Sequence, residues 1–120
     1  MRGWKRWLTT TVGNETGDLV TVAMQGDLGK PRPALLIQSD LFDAHPSVTI
    51  LPITSDLRDA PLLRIPLAAN QKTGLTLPSQ VMVDKPQSVS RSKIGTVIGH
   101  LDDETLLAVN RALAVFLGFA

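Results

Sequence analysis

A small antiparallel β-barrel followed by one C-terminal helix is the fold this sequence predicts, and three observations carry that prediction. Short β-rich runs recur along the chain from Asp18 to Gly99, glycine and proline punctuate the gaps between them, and the segment after Leu101 switches to helical spacing. Strands in succession, without intervening helical patterns, favour an antiparallel meander over alternating βαβ units.

The first run, Leu19, Val20, Val22 and Met24, begins after Gly17 and stops at Gly26. Residues 25–33, Gln-Gly-Asp-Leu-Gly-Lys-Pro-Arg-Pro, mix glycine with proline and read as a loop. Ala34-Leu-Leu-Ile-Gln-Ser39 gives a second strand and Ser47-Val-Thr-Ile-Leu-Pro-Ile-Thr54 a third, with a polar, partly helical turn over Asp40 to Pro46. Pro52 has no N–H for a ladder, which predicts an edge position or a bulge for the third strand. Segments 62–67 and 76–83 supply further strands around a turn from Asn70 to Gly74, and 94–99 adds the last. Beyond them, Asp102-Asp-Glu104 offers an N-cap and an acidic first turn. Leu106, Val109, Leu113, Phe116 and Leu117 follow at helical spacing, and Gly118 stands where a helix commonly stops.

A chain of 120 residues has room for one core and not two. Residues 1–16 show no strand or helix period, contain both tryptophans and end in Gly13-Asn-Glu-Thr16. They read as an arm preceding a domain over 17–120. The arm is either a basic, aromatic extension suited to contacting nucleic acid or a segment upstream of the native start. Its basic opening resembles a secretory signal, but Thr9, Thr10 and Thr11 occupy the place of the apolar stretch such a signal needs. No apolar run approaches the roughly 20 residues of a membrane span. Together these features point to the cytoplasm.

A 43% apolar and 19% charged composition is that of a folding chain. Without cysteine, the sequence cannot use disulfides, zinc–thiolate sites or thiol nucleophiles. The net charge is +1, and removing Arg2, Lys5, Arg6 and Glu15 of the arm leaves nine basic and ten acidic side chains in residues 17–120. That balance lacks the basic excess of a protein that binds nucleic acid by bulk charge. Glycine-rich phosphate loops of the Walker type, GxGxxG and HExxH are all missing. His45 and His100 are far apart in sequence, one in a turn before Pro46 and the other ahead of the helix cap, so neither predicts a metal pair.

Three segments in fixed order are more informative: Gly17-Asp-Leu-Val20, Lys30-Pro-Arg-Pro-Ala-Leu-Leu-Ile37 and Ile50-Leu-Pro-Ile-Thr-Ser55. With Ser79-Gln-Val-Met-Val-Asp-Lys-Pro86, Ile94-Gly95 and the helix from Leu101-Asp-Asp-Glu104 to Leu117-Gly118, the chain resembles the MazF/PemK toxin family over residues 17–118. The resemblance implies an SH3-like barrel with a C-terminal helix, the toxin half of a type II toxin–antitoxin pair. It implies a homodimer that cuts single-stranded mRNA without a metal or other cofactor and is silenced by a cognate antitoxin. The ribose 2′-hydroxyl is then the nucleophile, and the products are a 2′,3′-cyclic phosphate and a 5′-hydroxyl.

The same resemblance assigns the site. Arg32 matches the catalytic arginine, whose planar fork can hold two phosphate oxygens. Thr54 matches the catalytic threonine, though a threonine before Asp56 is equally a turn former. Lys30, Ser55, Asp84 and Lys85 are the supporting or RNA-binding candidates. Where the PemK branch has a further arginine this chain has Met82, which cannot bond a phosphate. Two other readings are a CcdB-like gyrase poison, for which the end Phe116-Leu-Gly-Phe-Ala120 lacks the expected tryptophan, and an inactive SH3-like binding module.

Overall fold

The computed structural model describes residues 15–23 and 30–119. Most of the arm and part of the first connection, including Met24, lie outside the described residues. Among the described residues there are seven strands: β1 (Asp18–Ala23), β2 (Pro31–Leu36), β3 (Ser47–Thr54), β4 (Arg64–Leu67), β5 (Ser79–Met82), β6 (Gln87–Ser90) and β7 (Ile94–His100). One α-helix, α1 (Asp103–Leu117), follows them, and short 3-10 turns lie at Asp40–Phe42 and Arg91–Lys93. The strands order as β4-β5-β3-β2-β1-β7, with β6 beside β3, and every pairing is antiparallel.

Pro52 calls for an edge position or a bulge, and the edge position is corrected, because β3 is central. On one side it pairs with β2, Ala34 opposite Pro52. On the other, residues 47–50 pair with β6 while Ile53 and Thr54 pair with β5. Pro52 falls in the gap between those two partners, where no ladder donor is needed, so proline sits inside a central strand at little cost.

β2 begins earlier than expected. Pro31 and Arg32, assigned to a loop from their composition, pair with Ala23 and Val22 of β1. The fixed φ of proline is compatible with extended backbone. β6 was not visible in the sequence because Gln87-Ser-Val-Ser90 has a single apolar residue.

The strand path does not close as a hydrogen-bonded ring among the described residues, because β4 and β7 remain its two ends. A loop closes it instead. The turn after β4 lies on β7, with the His100 N–H donating to the Lys72 carbonyl at 2.8 Å. The approach is tight: Gly74 has φ +70°, and a Cβ there would stand 1.9 Å from the Ile98 carbonyl oxygen.

Side chains alternate between two faces of the sheet. Leu19, Leu35, Leu51, Ile53, Val81 and Val83 form one buried cluster with Leu106 and Val109 of α1. Val20, Val22, Ala34, Leu36, Val48 and Ile50 form a second on the opposite face, covered by Val89 and Ile94. α1 begins and ends as its sequence requires: Asp102 accepts from the Thr105 N–H at 2.7 Å, and Gly118 adopts φ +84°. Hydrogen bonds from the Thr105 side chain and backbone hold the Asp102 carboxyl below the usual carboxylate range. The apolar residues of the last turn, Phe116 and Leu117, remain exposed, as does Phe119 beyond it.

Glu15 and Thr16, at the end of the arm, are bonded to the body. The Glu15 N–H donates to Asp18 Oδ2 at 2.9 Å, and the Thr16 N–H to Asp40 Oδ1 at 2.8 Å.

Candidate RNA-cleaving site

The last pair between β2 and β3 is Ala34 opposite Pro52. Two residues further on each strand stand Arg32 and Thr54, so continuing the register places them opposite one another on the face of the second cluster. Both line one cavity of about 340 Å³. Pro33, Ala34, Ile50, Pro52, Ile53 and Met82 give it an apolar lining, and Lys85 and Gln87 complete its polar wall.

Thr54 has two features of a positioned donor. Its Oγ1 accepts the Asp56 N–H at 3.0 Å, the turn anticipated from its sequence context. That bond occupies an oxygen lone pair and leaves the O–H to donate elsewhere, so the turn and the chemical role are compatible. The turn is itself held from below. Gln80, paired with Thr54 across β3 and β5, accepts the Arg58 N–H at 3.1 Å and returns a bond to the Arg58 carbonyl at 3.0 Å. Arg58 bonds Asp56 Oδ2 through Nη2 at 2.9 Å. That bond, and the charge behind it, keep the Asp56 carboxyl below its ordinary range and raise the Arg58 guanidinium above its own.

Of the other sequence candidates, only Lys85 lines the cavity. Asp84 is half-buried beside it, with Oδ2 3.9 Å from Lys85 Nζ. Lys30 and Ser55 are exposed and do not line it. Met82 does, as part of the apolar lining. A cation stands directly across from Met82 of β5, since Arg64 of β4 is its register partner. Arg64 Nη1, however, bonds the Asp56 carbonyl at 3.1 Å and Gln80 Oε1 at 2.9 Å, so this nitrogen braces the turn. Sequence reading missed Gln80, Arg64 and Gln87; Arg64, a charge within the apolar run 62–67, and Gln80, a polar residue ahead of Val81 and Met82, carried a local signal.

Residues 15–117 match the family described as PemK-like, MazF-like toxin of type II toxin-antitoxin system. The chain belongs to that family. It is 47% identical over 105 residues to the probable endoribonuclease MazF of Mycolicibacterium smegmatis, covering 87% of this chain and 96% of that protein. It is 25% identical over 111 residues to endoribonuclease EndoA of Bacillus subtilis, covering 92% and 85% respectively. The Mycobacterium tuberculosis toxin MazF-mt6 superposes with a TM-score of 0.73 at 25% identity, covering 84% of this chain and 96% of that one. The MazE-MazF structure from Deinococcus radiodurans, with a TM-score of 0.74, 22% identity and coverage of 90% and 98%, shares the fold. None of these likenesses supports the gyrase-poison or inactive-module reading.

A second titratable cluster lies at the far end of β1. One ligand atom each of Glu15, Asp18 and His100 falls within 4.8 Å of the others. Asp18 is buried and bonds His100 Nδ1 at 2.7 Å, tying β1 to β7. His45 is not part of this group. It is engaged locally, its Nδ1 accepting the Ser47 N–H at 3.0 Å.

Proposed function

We propose that this MazF/PemK-family toxin is a metal-independent endoribonuclease cutting single-stranded mRNA at the Arg32–Thr54 cavity, held silent by a cognate antitoxin. The observation that carries the proposal is the meeting of those two side chains over one cavity from opposite strand ends. Arg32 neutralises the charge that builds on the phosphorane oxygens, and the Thr54 hydroxyl donates to one of them. Lys85 adds a second cation, with Asp84 next to it.

The 2′-hydroxyl oxygen attacks phosphorus, the bond to the 5′-oxygen breaks, and the 2′-hydroxyl proton ends on that departing oxygen. It is carried there either by Asp84 or by a non-bridging phosphate oxygen. Asp84→Asn decides between the carriers: a large loss of rate with RNA binding intact assigns the carboxylate. The fragments end in a 2′,3′-cyclic phosphate and a 5′-hydroxyl. Cleavage of a defined single-stranded RNA in EDTA, with the ends mapped, tests the reaction. Intact RNA, or ends carrying a 5′-phosphate, would refute it.

Family membership supports a homodimer, and so do the exposed Leu107, Val115, Phe116, Leu117 and Phe119 of α1 and the residues after it. Light scattering at micromolar concentration should give the dimer mass; the monomer mass alone would count against it. One protein of the same fold is an endoribonuclease in complex with its cognate antitoxin from mycobacterial species, and a cognate antitoxin is accordingly proposed for this chain. Among the described residues no helix is long and apolar enough to cross a membrane. We place the reaction in the cytoplasm, where mRNA is found.

The domain reading makes residues 1–14 an appendage to the body. Their deletion should leave the melting temperature nearly unchanged, and a large loss would show that Trp4 or Trp7 packs into the core.

A further inference from the structure

Three glutamines of this sheet and its turns are half-buried, and they are used differently. Gln38 bonds the Phe42 and Ser47 carbonyls through Nε2 and accepts the Thr49 N–H and hydroxyl through Oε1. Gln80 is equally engaged, with Arg58 and Arg64. Gln87 is half-buried at the wall of the Arg32–Thr54 cavity, and among the described residues its amide makes no hydrogen bond. A partly buried amide without partners costs stability unless something else satisfies it.

The cavity tells what that something is. Its volume of about 340 Å³ lies at the lower end of ligand pockets. Pro33, Pro52 and Met82 offer apolar contact for a flat ring, and Arg32 and Thr54 share the same space. Gln87 is fixed in place by its pairing with Ile50, two residues before Pro52 on β3. From this we infer that the cavity receives one unstacked nucleobase adjoining the scissile phosphate, and that the Gln87 amide reads its edge. The inference rests on the endoribonuclease reading above. It adds a specificity-determining residue to the site and gives Met82 a function as apolar contact for the base.

An amide offers a donor and an acceptor side by side, the complement of a base edge that does the same, as adenine does. A carboxylate offers acceptors only, and guanine presents two adjacent donors on its Watson–Crick edge. The experiment is cleavage of a randomised single-stranded RNA pool by the full chain, by Gln87→Glu and by Gln87→Leu, with all cut ends sequenced. Melting curves check that both variants fold. Gln87→Leu should relax the preference at one position beside the cut by about tenfold, with other positions unchanged. Gln87→Glu should move that same position toward guanine.

If the parent cuts at a defined sequence and both folded variants keep its preference at every position, the inference is wrong while the endoribonuclease reading stands. A uniform fall in rate with unchanged preference likewise overturns it, since that is the mark of a structural role. A parent that cuts no RNA overturns both.

Discussion

The two faces of the sheet are built from alternate residues of the same strands, yet they serve different ends. On the face covered by α1, Leu35, Leu51, Ile53, Val81 and Val83 pack with Leu106 and Val109 into the larger core. On the other face the apolar cluster runs out along β2 and β3: Leu36 and Ala34 give way to Arg32, and Val48 and Ile50 give way to Pro52 and Thr54. One face is sealed by a helix, and the other opens into a cavity at the strand ends. Because a strand shows alternate residues to opposite sides, neighbours such as Leu51 and Pro52 belong to the core and to the cavity respectively. The difference implies that stability and chemistry can be altered separately.

The largest test of that separation is Leu51→Ala, on the sealed face. Leu51 is fully buried, and its truncation should cost about 2–5 kcal/mol, read as an early denaturation midpoint. A loss of less than about 1 kcal/mol would mean that this face is not the core. Arg32→Ala should give the reverse pattern, with cleavage falling about a hundredfold, or about 3 kcal/mol of transition-state stabilisation, at an unchanged melting temperature. Arg32→Lys should restore only part of the rate, since an ammonium lacks the two-pronged geometry. Parent-like cleavage by Arg32→Ala would break the comparison outright. Thr54→Val, removing a neutral donor, should cost about tenfold in rate, again without unfolding.

Smaller effects sharpen the picture. Asp102→Ala removes the helix cap of the sealed face and should lower the melting temperature by a few degrees at neutral pH while leaving cleavage intact. Its folded carboxyl is depressed below the ordinary value of 3.8, so the cap contributes fully above that value and fades as pH falls through the lowered one. Parent and variant should therefore converge in strong acid, and a gap that persists there would argue against the charged cap. EDTA should have no effect on cleavage. The Glu15–Asp18–His100 group sits at the β1–β7 seam, and none of its members lines the Arg32–Thr54 cavity. Inhibition by the chelator would overturn the metal-free mechanism.

How much of this was legible follows the reach of each signal. Helix α1 could be read to its caps because Asp102, the apolar spacing and Gly118 are all local. β3 could be read to its exact ends from its own residues. The role of Pro52 could not, because the exchange of partners from β6 to β5 is a property of three strands together. Arg32 and Thr54 were candidates by resemblance alone, and their opposition across β2 and β3 needed the register. Gln87 was invisible because an unpartnered amide can be recognised only once its surroundings are known.

The hydrogen bond between Asp18 and His100 joins residues 82 apart in the chain. The first strand thus waits for the seventh, and the larger core waits for α1 beyond it. Contacts between such distant parts form late, because a long loop must be closed before they can repay its entropy. On the ribosome, the strands bearing Arg32 and Thr54 emerge well before the elements that complete their support. Completion of the fold around the Arg32–Thr54 cavity therefore depends on the last strand and the helix having joined the first strands.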